Sequence, residues 1–179
     1  MLIKTVFAGF GGQGVLSMGL NLAQAAMQED LHVTYLPSYG AEVRGGTANC
    51  TIAISDEEIA SPVASAPEFV VAMNQPSMVY FQHQLQSGGV FLLNSSLINI
   101  EATRGDIEVI KVAANSIAEQ MGNVRGANMV MLGALIKKSN LVKLETLYEV
   151  LKQTFGKKEK LITINKEALL AGYNSLNSK

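Results

Sequence analysis

Gly9-Phe10-Gly11-Gly12-Gln13-Gly14 is the segment of this 179-residue chain best suited to chemistry. It follows the apolar run Leu2-Ile3-Lys4-Thr5-Val6-Phe7-Ala8 and precedes a helix-like stretch. That is G-x-G-x-x-G at a strand-to-helix turn, the spacing of a dinucleotide-binding fingerprint. Glycines there permit a tight turn and close approach of a ligand, and the free N–H groups of the following helix favour an anion. A phosphate, a carboxylate or a side chain of another subunit would suit the loop, and Gln13 could present an amide to it. The rival reading is architectural: small residues where a strand and a helix pack closely. A second odd segment is Ser38-Tyr39-Gly40-Ala41-Glu42-Val43-Arg44-Gly45-Gly46. Its glycines allow unusual backbone angles, so Tyr39, Glu42 and Arg44 can be aimed. Arg44 offers a planar fork for a carboxylate or phosphate, or pairs with Glu42 to hold the loop's own shape.

The dinucleotide reading fails on the rest of the chain. A nicotinamide site needs an acidic residue about 20 residues past the glycines, at the end of the second strand. Here that strand ends in Tyr35-Leu36-Pro37-Ser38, while Glu29 and Asp30 come too early. No Lys-Ser/Thr follows the glycines, so this is no Walker A loop either. His32 and His83 have no partner at metal-ligand spacing, and no G-x-S-x-G elbow is present. Cys50 is the single cysteine, so this chain alone builds no disulfide, iron–sulfur cluster or Cys-rich zinc site. It reads as a small buried hydrophobe. We therefore expect no catalytic residue and no metal site in this chain.

The elements that must position the two glycine segments follow from periodicity. Residues 2–8 read as a strand buried on both faces. From Gln13 to Glu29, Leu16, Leu20, Ala23 and Met27 recur at helical spacing. His32 to Leu36 is a second strand closed by Pro37, which predicts a βαβ opening with the two strands as a parallel pair. Thr47 to Ile54 alternates as a half-covered strand. Buried strands follow at Phe69–Met73 and Val90–Leu93, and a last one at Ile107–Val112. Pro76 opens a helix running to Leu85. Further helices are expected at Asn115–Met121, Ala127–Lys138, Leu144–Phe155 and Lys166–Leu176. The fold class is α/β: a Rossmann-like, mostly parallel sheet flanked by helices, with some antiparallel edge-strand content, in a single domain over residues 1–179.

Composition narrows the partners. Net charge is −1 and charged residues are only 16%, which gives no electrostatic case for nucleic acid or an anionic membrane. So few charges suggest that part of the surface is covered by partners. No apolar run reaches a membrane span and no signal segment is visible, so a cytoplasmic location is the default expectation.

The two glycine segments together resemble the gamma subunit of 2-oxoacid:ferredoxin oxidoreductases. Asn128-Met129-Val130-Met131-Leu132-Gly133-Ala134-Leu135 and Glu167-Ala168-Leu169-Leu170-Ala171-Gly172-Tyr173 are similar to that family too. The resemblance runs in order along nearly the whole chain. The form Tyr39-Gly40-Ala41-Glu42-Val43-Arg44-Gly45-Gly46-Thr47-Ala48 is nearest to the 2-oxoglutarate members. The resemblance implies a multisubunit enzyme that decarboxylates a 2-oxoacid on thiamine diphosphate with magnesium. It passes electrons through [4Fe–4S] clusters to ferredoxin or flavodoxin and transfers the acyl group to coenzyme A. The implied partners are alpha and beta subunits, with a delta subunit where one exists, and these carry the thiamine diphosphate, clusters and magnesium. The chain itself would be accessory. Gly9, Gly11, Gly12, Gln13 and Gly14 would then share one docking surface with Ser38, Tyr39, Gly40, Glu42, Arg44, Gly45 and Gly46, at the carboxyl ends of the first two strands.

Overall fold

The computed structural model describes residues 1–40 and 46–177. In chain order the elements are β1 (Leu2–Phe10), α1 (Val15–Gln28), β2 (His32–Tyr39), β3 (Thr47–Ser55), β4 (Phe69–Ala72) and α2 (Gln75–Phe81). Then come β5 (Val90–Asn94), β6 (Glu108–Val112), α3 (Ala114–Gln120), α4 (Ala127–Ser139), α5 (Leu144–Phe155) and α6 (Glu159–Ser175). The six strands form one sheet in the order β2-β3-β1-β4-β5-β6. The pairs β1–β4, β4–β5 and β5–β6 are parallel, and β3 is antiparallel to both its neighbours.

Two expectations are corrected here. β1 and β2 do not pair, because β3 lies between them, with Phe7 opposite Cys50 and Tyr35 opposite Ile52. The helix crossover sets β2 one strand too far out, and the chain then folds β3 back into the gap. Pro37 does not close β2 but pairs in register with Cys50, and Ser38 and Tyr39 belong to the strand. β2 is an edge strand, which is where a sheet tolerates a residue without an N–H.

Core residues sort by sheet face. Phe7, Cys50, Ile52, Ile54, Val71 and Leu92 pack under α1 and α4, in a core that also takes in residues of α3, α5 and α6. Val6, Ala8, Val70, Ala72, Phe91 and Leu93 face the other way, under Met78 and Phe81 of α2 and Ile98. Alternation along each strand therefore supplies both faces, as a doubly covered sheet requires. Gly19 of α1 has no room for a Cβ because the Cys50 thiol lies against it. The thiol in turn donates to the Val15 carbonyl at 3.5 Å. α4 is buried all round from Met129 to Ile136, enclosed between the rest of the core and α6, which explains why it is apolar on every side.

Candidate functional site

β1, β4, β5 and β6, and β2 across the antiparallel β3, all end on the same side of the sheet, and the glycine loop crowns that side between β1 and α1. β1 ends beside the start of β3, with Gly9 opposite Ala48 and Phe10 opposite Thr47. The Gly11 N–H donates to the Gly46 carbonyl at 2.9 Å, and the Gly40 N–H donates to the Thr47 carbonyl at 2.7 Å. So Gly9–Gly14, Ser38–Gly40 and Gly46 meet at one end of the sheet. Glu42, Arg44 and Gly45 lie outside the described residues. Tyr39 is exposed at the tip of β2.

Within the loop, Gly12 and Gly14 both take left-handed backbone angles, φ 98° and 74°. Gly14 is the N-cap of α1, so no side chain caps the first turn of that helix. Gly126, the N-cap of α4, leaves that helix without a side-chain cap as well. The two helix starts meet where the Asn128 amide donates to the Gly14 carbonyl at 3.4 Å. Between them opens a cleft of about 480 Å³ lined by Gly12, Gln13, Gly14, Asn115, Arg125 and Asn128, with Met73, Val124 and Ala127. Among the described residues no carboxylate lines it. Uncapped helix N-termini, glycine N–H groups and an exposed arginine favour an anion there.

Gln13 lines this cleft and is at the same time tied into the protein's own hydrogen bonds. Its Oε1 accepts from the Phe10 N–H at 2.7 Å and from the Asn74 amide at 3.0 Å. Its Nε2 donates to the Met73 carbonyl at 3.3 Å. Asn74 is buried and its Oδ1 accepts from the Ser77 N–H at 2.9 Å, capping α2. Beyond this knot, on the α2 side, lies a second cavity of about 390 Å³ lined by Gly9, Thr47, Ala48, Asn49, Pro76 and Tyr80, among others.

The residues that spacing did not single out are Asn74, Asn115, Arg125 and Asn128. Asn74 carried a usable signal, since Asn before Gln-Pro-Ser at a strand end is an N-cap followed by proline in the first turn. Arg125 carried none, because only the packing of α4 against α1 brings it to the glycine loop. His32 and His83 are exposed and line neither the cleft nor the second cavity. Cys50 lies buried in the core, and burial pushes its thiol up to about 12. No three His, Cys, Asp or Glu side chains converge among the described residues, and no helix among them is long and apolar enough to cross a membrane.

Comparison with known proteins follows the same lines. The profile of the pyruvate ferredoxin/flavodoxin oxidoreductase family matches residues 4–175. Ketoisovalerate oxidoreductase subunit VorA of Methanothermobacter thermautotrophicus is 43% identical over 95% of this chain and 35% of its own length. 2-Oxoglutarate synthase subunit KorC of Methanothermobacter marburgensis is 32% identical over 87% of this chain and 88% of its own. A solved 2-oxoglutarate:ferredoxin oxidoreductase from Magnetococcus marinus, with 2-oxoglutarate, coenzyme A and succinyl-CoA bound, superposes with a TM-score of 0.92 at 26% identity. That superposition covers 99% of this chain and 31% of the other. The chain thus spans about a third of the VorA subunits it matches.

Proposed function

We propose that this chain, which belongs to the pyruvate ferredoxin/flavodoxin oxidoreductase family, serves as the gamma-type subunit of a coenzyme A-dependent 2-oxoacid:ferredoxin oxidoreductase. The observation that carries this reading is the family match over residues 4–175, nearly the whole chain. The motif resemblance, Gly9–Gly14 with Ser38–Gly46, points to the same place. In the reaction the 2-oxoacid loses its carboxylate as CO₂. The acyl carbon gives up two electrons to an iron–sulfur acceptor, and the coenzyme A sulfur takes the acyl group as its proton leaves. One cysteine cannot hold a cluster, and the family resemblance implies that thiamine diphosphate and magnesium sit on partner subunits as well.

This chain's share is a surface and a binding contribution. The carboxyl end of the sheet faces the thiamine-bearing subunits, and the cleft between α1 and α4 receives the phosphate-bearing part of coenzyme A. Arg125 and the N–H groups of the two helix starts would contact the phosphates. The keto acid itself is chosen in the thiamine-bearing partner. The Tyr39–Ala48 form favours 2-oxoglutarate, while the 43% identity to VorA favours a branched-chain acid.

The test is co-purification from native extract, followed by assay of the complex with 2-oxoglutarate, pyruvate and 2-oxoisovalerate side by side. The expected result is a complex with a thiamine diphosphate-binding subunit and a cluster-bearing subunit that reduces ferredoxin only when coenzyme A is present. A chain that purifies alone, with NAD or FAD bound, would instead favour a free-standing nucleotide enzyme.

A further inference from the structure

We infer that Gln13 and Asn74 are a positioning pair, closing the crevice between β1 and β4 and locking the glycine loop in its anion-receiving shape. This rests on the reading that the cleft takes the anionic part of coenzyme A.

The crevice is the topological switch point of the sheet. From β1 the chain builds β3 and β2 to one side and β4, β5 and β6 to the other. Open α/β sheets ordinarily admit ligand at such a point. Here the Gln13 carboxamide fills it. A Cβ on Gly9 would stand 2.7 Å from Gln13 Oε1 and 2.9 Å from the Met73 Cβ, so this glycine makes room for the protein's own side chain.

The amide cannot turn over. Both lone pairs of Oε1 are taken, by the Phe10 N–H and the Asn74 amide, and Nε2 spends one N–H on Met73. A flipped amide would set its NH₂ against two donors. Asn74 completes the knot with its oxygen on the Ser77 N–H at the head of α2. β1, β4, α2 and the glycine loop are thereby one hydrogen-bonded unit. The left-handed turns at Gly12 and Gly14 hang from it, and these set where the first N–H groups of α1 point. Asn74 thus acts on a ligand through the loop, and Gln13, which also lines the cleft, holds the loop's shape.

The experiment separates capping from clamping. Ser and Asp both cap a helix as Asn does. Asn74→Ser removes the amide that holds Gln13, and Asn74→Asp replaces it with a carboxylate facing Oε1. In the purified complex, the KM for coenzyme A is expected to rise about ten-fold in both variants, the loss of one buried hydrogen bond. The kcat and the KM for the 2-oxoacid should stay within about two-fold of wild type. An unchanged coenzyme A KM overturns the pair and leaves the parent reading standing. A lower melting temperature or kcat with both KM values unmoved assigns a merely structural role and overturns it as well. A wild-type complex whose rate ignores coenzyme A overturns the parent reading first, and the pair with it. If the Asn74 variants fail to assemble, Gln13→Met is measured the same way. It leaves the α2 cap intact, removes the clamping amide and adds no charge to the cleft that Gln13 lines, with the same shift expected.

Discussion

Gly14 stands at φ 74° with Asn128 pressed against it, so a methyl there meets both a backbone penalty and a side chain. Gly14→Ala is expected to lower stability by about 1–3 kcal/mol, read from the urea midpoint. A loss under about 0.5 kcal/mol would mean that the loop relaxes freely at that point. Cys50 gives a pH-dependent prediction. Burial pushes its thiol from 9.0 to about 12 in the fold, so an unfolded chain sheds the proton first as pH rises. The stability it contributes is whole below pH 9 and drains as pH climbs from 9 towards about 12. Cys50→Ala should flatten that alkaline fall in urea midpoint, and an unaltered fall would assign it to other groups. At this scale the sequence was legible where a residue's role is local. Cys50 in an alternating strand read as a buried small hydrophobe, and it is one. Gln13 read as a contact for a ligand, and its bonds to Met73 and Asn74 were not legible, because those residues become its neighbours only through the β1–β4 pairing.

Helices α5 and α6 show how an element can depend on a distant residue. Glu29, just past α1, accepts from the Lys143 N–H at 2.7 Å and the Thr146 hydroxyl at 2.6 Å. Its carboxylate thus caps α5, whose own N-cap is Lys143 and supplies no side-chain cap. Glu29→Ala should cost about 1 kcal/mol in chemical denaturation, while Glu29→Gln, which keeps the acceptor, should cost less. The α4–α6 crossing is tighter. A Cβ on Gly172 would land inside the Val130 carbonyl, and one on Gly133 inside the Leu169 carbonyl. Gly172→Ala is therefore expected to cost about 3 kcal/mol or more, by forcing the helices apart. A midpoint near wild type would sink that account. Periodicity found α5 with its bounds, because Leu147 and Leu151 mark a buried face. It missed the first seven residues of α6, Glu159–Asn165, where Leu161-Ile162-Thr163-Ile164 is rich in β-branched residues and nothing is fully buried. That turn is helical because Ala168, Leu169 and Gly172 beyond it pack on α4, not because its own residues prefer it.

The cleft belongs to the whole molecule, since its walls come from the glycine loop, the start of α3 and the head of α4. Arg125→Ala should weaken coenzyme A binding about five-fold, with a loss that shrinks as salt is raised. Calorimetry at two ionic strengths would show it, and a salt-independent loss would argue against a charge effect. At this scale the sequence made the fold class legible but not the strand order. Alternation cannot tell a strand that pairs beside β1 from one displaced by a returning hairpin, and the choice was made by Phe7, Cys50 and Ile52 meeting under α1. The α4–α6 crossing has a consequence here as well. α4 carries Asn128 at one end, against Gly14, and Gly133 further along, against the backbone of α6. A rigid rod held at one point tilts at the other, so the width of the cleft is calibrated by Gly133 and Gly172, neither of which lines it. Drift at either glycine would surface as altered affinity for a molecule bound a full helix turn or more away.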